Sequence, residues 1–122
     1  MSGPILAMRS DDTFGDHGFL LMWWPISQPF EMVSETHFHD FDQYLMFVGG
    51  DVNNMMDLGG EVELTLGEQN GELLKFTFTR ATVVYLRAGL RHGSLNFRNV
   101  NDPKKPILYN DITFTSNYER KT

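Results

Sequence analysis

His37 and His39, separated by one residue, and His92 far downstream, with Gln43 close behind the pair, carry the chemistry this chain can offer. The chain has no cysteine. Disulfides, thiolate ligands and a cysteine nucleophile are therefore excluded, and any metal must be held by nitrogen and oxygen donors. The spacing of the pair selects a local structure. In an extended strand residues two apart share a face and lie about 6.6 Å apart, whereas a helix would set them about 200° apart around its axis. A His-x-His pair that acts together requires a strand, and its neighbours Phe30, Val33, Thr36, Phe38, Phe41, Tyr44, Phe47 and Val48 are strand-favouring residues.

The rest of the chain must build the scaffold that positions these side chains. Residues 1–18 mix Gly, Asp, Ser and Pro with few apolar positions and read as an arm or edge segment; residues 19–122 form the single domain. Phe19 to Trp24 is an apolar run interrupted by Pro25, the pattern of a short buried or interface strand. Glu31 to Val48 has strand character throughout, as two strands broken near Asp40 to Asp42. Glu61 to Leu66 alternates strictly, with Val62, Leu64 and Leu66 on one face, which predicts a half-buried strand. Leu73 to Thr79 alternates again, and the polar stretch Gly67 to Gly71 between them closes a hairpin. Thr82 to Leu86, Ser94 to Val100 and Ile107 to Phe114 are three further strand-like segments. No window shows a helical period, so the expected fold is an all-β sandwich or barrel.

Composition narrows the partners. A chain of 122 residues with 41% hydrophobic and 21% charged residues can bury a core in one domain, and no apolar run reaches the roughly 18 residues of a membrane span. The N-terminus lacks a charged start followed by a sustained apolar stretch, so the cytoplasm is the expected compartment. The net charge of −6, with no Lys/Arg-rich stripe beyond Lys104 and Lys105, argues against nucleic acid and toward a small molecule or a protein.

These residues resemble the motifs of the cupins, small double-stranded β-helix (jelly-roll) barrels. The first cupin motif runs Gly-x5-His-x-His, three or four residues, Glu-x6-Gly, and His37, His39, Gln43 and Gly50 fall on its register. Glu31 stands where the motif has its leading Gly, and Gln43 stands where it has a carboxylate. The second motif runs Gly-x5-Pro-x-Gly-x2-His-x3-Asn; Gly89, His92 and Asn96 match it, while Ala81 and Arg87 replace its Gly and Pro. The match covers residues 31 to 97.

The resemblance implies an all-β cupin barrel holding one divalent metal ion (Zn, Fe, Mn or Ni) on His37, His39, Gln43 and His92. With three neutral imidazoles and a neutral amide such a site keeps its formal +2 charge, where a Glu ligand would leave +1. That favours an anionic ligand and lowers the pKa of bound water. Glu35, on the face of the histidine pair, and Tyr85 are the candidate proton-moving residues; Trp24 and Asn96 are candidates for contacting substrate. Arg80, Arg87 and Arg91 are candidates for attracting an anion. The expected activity is Lewis-acid chemistry of lyase, isomerase or decarboxylase type on a small oxygenated substrate. The rivals are a dioxygenase and a non-catalytic binding cupin. A homodimer is expected, with Phe19 to Trp24 as its interface strand.

Overall fold

The computed structural model describes residues 5–9, 18–115 and 121, which contain nine strands and no helix. In chain order these are β1 (Leu6–Arg9), β2 (Leu20–Ile26), β3 (Phe30–Val33), β4 (Gln43–Gly49), β5 (Asp57–Gly67), β6 (Leu74–Arg80), β7 (Thr82–Leu86), β8 (Arg91–Val100) and β9 (Ile107–Thr113). They form two antiparallel sheets, ordered β1-β2-β9-β4-β7 and β3-β8-β5-β6. From β2 to β9 the chain changes sheet at every step but the β5–β6 hairpin, so the two faces are built together as a jelly roll. Among the described residues no helix is long and apolar enough to cross a membrane.

Alternation explains which side chains meet between the sheets. On β5, Leu58, Val62 and Leu64 are buried while Glu61 and Glu63 remain partly exposed. On β4, Gln43, Leu45 and Phe47 point inward, and on β9 the same parity selects Ile107, Tyr109, Asp111 and Thr113. At one end of the sandwich this yields a dry aromatic cluster. Phe47 stacks on Tyr109 with ring centroids 5.0 Å apart and meets Phe78 edge-on at 5.1 Å. Phe97, Ile26, Val62 and Ile107 close around them without exposure.

Two details differ from expectation. Pro25 does not end its strand: it pairs with Leu108 inside β2. The register of β1 stops at Trp23, so the missing N–H of Pro25 deprives no neighbouring strand. His37 and His39 do not lie on a regular strand either; their segment touches β8 through an isolated bridge between His37 and His92. Of the N-terminal arm, Leu6–Arg9 pairs as an edge strand, and residues 1–4 and 10–17 lie outside the described ones.

Candidate metal centre

At the end opposite the aromatic cluster, the three histidines converge. His37 and His92 exchange both backbone hydrogen bonds, each 2.8 Å, and their rings lie 4.4 Å apart; His39 is 4.9 Å from His37 and 5.0 Å from His92. All three are buried, and their ligating nitrogens lie within 4.8 Å of one another. Nδ1 of His37 faces the Glu35 carbonyl at 3.3 Å and Nδ1 of His92 faces the Leu90 carbonyl at 3.4 Å. Donation through Nδ1 assigns the tautomer that leaves Nε2 as the ligand nitrogen.

Local backbone features bring these side chains together. Leu90 N–H donates to the Arg87 carbonyl in a turn where Gly89 has φ +86, a left-handed position that glycine fills without strain; Gly89 N–H in turn donates to the His39 carbonyl at 2.8 Å. A side chain at Gly93 would meet the Glu35 carbonyl oxygen at 2.3 Å and Thr36 Cα at 2.6 Å, so glycine is what lets the His37 segment pass so close to β8. Just beyond, Ser94 has φ +51 and β8 slips by one residue against β5. This bulge turns His92 inward before it and Leu95 and Phe97 inward after it.

Gln43 opens β4 and is buried beside the histidines. Its Nε2 donates to Asp111 Oδ1 on β9 at 2.7 Å, a diagonal contact, since Leu45 is the residue directly opposite Asp111. The amide nitrogen is thereby committed, and Oε1 is left buried with no hydrogen-bond partner among the described residues. An orphaned acceptor of this kind costs about 1–3 kcal/mol. Three imidazole nitrogens with an uncommitted amide oxygen suit a divalent transition metal. Asp111 lies outside both motifs. Burial pushes its carboxyl up to about 6 against the opposing effect of the Gln43 hydrogen bond.

Neither a protein-family model nor a curated protein matches this chain. Solved structures do. A deletion variant of Bacillus subtilis oxalate decarboxylase superposes with a TM-score of 0.64 at 8% identity, covering 97% of this chain and 27% of that one. The same enzyme at pH 4.6 gives 0.59 at 12% identity, with 97% and 27% covered. A structure described for that enzyme's Mn(II) centres gives 0.57 at 12%, again with 97% and 27% covered. The chain has the cupin fold. It spans about a quarter of the length of these structures.

The cupin barrel opens beside the histidines into a cavity of about 180 Å³. His37, His92, Gln43 and Asp111 form its polar wall, and Met22, Trp24, Met32, Val33, Leu64 and Leu95 line the remainder. Of the sequence-predicted residues, the structure brings His37, His39, Gln43 and His92 together and sets Trp24 on the cavity wall. Glu35 is exposed and offers only its backbone carbonyl. Tyr85 stands half exposed on the outer face of its sheet, against Tyr44 at 5.2 Å. Its phenol is pushed above the ordinary range by desolvation first and by Asp42 second. Asn96 faces away from the cavity, paired across from Glu31 and Glu63, because the Ser94 bulge reverses the parity counted from His92. Arg87 is exposed and paired with Glu68, Arg80 is exposed, and Arg91 reaches the Gln69 carbonyl.

Proposed function

We propose that this cupin is a metal-dependent enzyme of lyase, isomerase or decarboxylase type acting on a small oxygenated substrate. The observation that carries the reading is the convergence of three buried imidazoles beside the orphaned Gln43 oxygen, with His37, His92 and Gln43 on the wall of a cavity. When bound there, a divalent ion would supply Lewis acidity to substrate oxygens. His37, His39, His92 and Gln43 would hold it; the Mn(II) centres named for one oxalate decarboxylase structure support manganese as a candidate beside Zn, Fe and Ni. The neutral ligand set leaves the formal +2 charge intact. Asp111, the carboxyl group on the cavity wall, is the residue placed to accept and return a proton there. The apolar wall limits the water that can compete. The protein acts as a cytoplasmic homodimer through the outer face that carries Leu21 and Trp23.

Elemental analysis of protein purified without chelators tests the site. We expect close to one metal per chain, falling sharply in His37→Ala and His92→Ala; an unchanged ratio would remove the metal reading. Turnover that demands dioxygen and a redox-active metal would instead move the assignment to a dioxygenase.

A further inference from the structure

The cavity beyond the histidines has a composition that selects among oxygenated substrates. None of the Lys and Arg residues described lines it, and Asp111 is the carboxyl group among the described residues on its wall. A second ionised group on a ligand would be buried there with no cationic side chain among the described residues to pair it. Met22, Met32, Val33, Leu64 and Leu95 line it as well, flexible and branched apolar chains suited to a hydrocarbon body. Size points the same way: an apolar cavity of about 150 Å³ holds benzene, so about 180 Å³ takes one ring or a branched chain of like bulk. Trp24 lines the same space, and its indole Nε1–H is buried without an acceptor among the described residues.

We infer that the substrate has a single oxygen-bearing chelating head and an uncharged, apolar body about the size of one ring or a branched C4–C5 chain, and that dicarboxylates are discriminated against. The inference rests on the metal reading for the head of the ligand, but not for its body.

Two measurements separate those halves. In metal-free protein carrying ¹³C-methyl methionine, toluene should shift the Met22 and Met32 methyl signals and leave those of Met55 and Met56 unmoved; no shift at Met22 or Met32 would overturn the apolar subsite whatever the metal does. In metal-loaded protein, calorimetric titration compares 4-methyl-2-oxopentanoate with 2-oxoglutarate, which share a 2-oxo acid head and differ in whether the body ends in methyls or a carboxylate. The branched acid should bind at least about tenfold more tightly, and oxalate should bind more weakly than either. Equal binding, a preference for 2-oxoglutarate or oxalate, or no binding by protein of confirmed metal content would overturn the inference. Met32→Lys, at the partly exposed part of the wall, should move the preference toward 2-oxoglutarate. A protein that responds to toluene but retains no metal would condemn the metal reading alone.

Discussion

The two ends of the barrel are made by the same strands and do opposite things. β4 contributes Gln43 at one end and Phe47 at the other, β8 contributes His92 and Phe97, and β9 contributes Asp111 and Ile107. At the aromatic end Phe47, Phe97, Ile26, Val62 and Ile107 are apolar and without exposure, so their burial is close to pure gain. At the histidine end the same alternation buries three imidazoles, an amide oxygen without a partner and a carboxyl displaced from its usual range. One end holds the fold; the other is held by it.

Breaking the aromatic end should have the largest effect. Phe97→Ala should lower unfolding free energy by about 3–5 kcal/mol in chemical denaturation, and whatever protein stays folded should keep its metal. Next comes the carboxyl at the histidine end. The folded pKa of Asp111 is raised to about 6 from 3.8, so its contribution to stability is full below about pH 4 and is lost as pH rises through about 6. In metal-free protein Asp111→Asn should therefore be the more stable form at pH 7.5, by up to about 3 kcal/mol, and should flatten the pH profile between 4 and 6. A variant no more stable than the parent would mean that the carboxylate is better solvated than its burial implies.

Metal removal should cost slightly less. Free metal at about a hundred times Kd stabilises a folded site by about 2.7 kcal/mol, so chelation should lower the Tm of the parent protein and leave that of His37→Ala unchanged. Gln43→Glu sharpens the comparison further. It sets a second carboxyl against Asp111, and we expect metal to be retained while turnover changes; adding Asp111→Asn should relieve the crowding. At the bottom of the scale, Tyr85→Phe and Asn96→Ala should leave metal content unaltered and stability within about 0.5 kcal/mol. A loss of metal in either would contradict the placement of those side chains.

The sequence made the strands legible wherever one face is wet and the other dry. Val62, Leu64 and Leu66 announce β5 against Glu61, Glu63 and Thr65, and the turn at Gly67 to Gly71 announces its hairpin. The cupin spacing picks out His37, His39, Gln43 and His92, and the fold gathers these four at one end, the three histidines within reach of a common ion. Parity hid what was missed. Asp111 shares a face with Ile107 and Tyr109, so a charged residue on a core-facing register was the available signal. Asn96 matches the second motif, but the extra residue at Ser94 turns it away from the cavity and carries no mark in the chain, because serine is not a residue that advertises a left-handed turn. Glu35 shares the parity of His37 only on an ideal strand, and that segment is an isolated bridge.

The bulge at Ser94 has a consequence for how this protein can change over generations. It divides β8 into a frame that sets His92 on the cavity and a frame that starts with Leu95 on the cavity wall and runs into the aromatic packing at Phe97. Substitutions before it retune the histidine wall without touching the Leu95 and Phe97 packing. A one-residue deletion there would merge the frames and exchange inside for outside along half the strand. The site is thus open to point substitution and closed to any change of length.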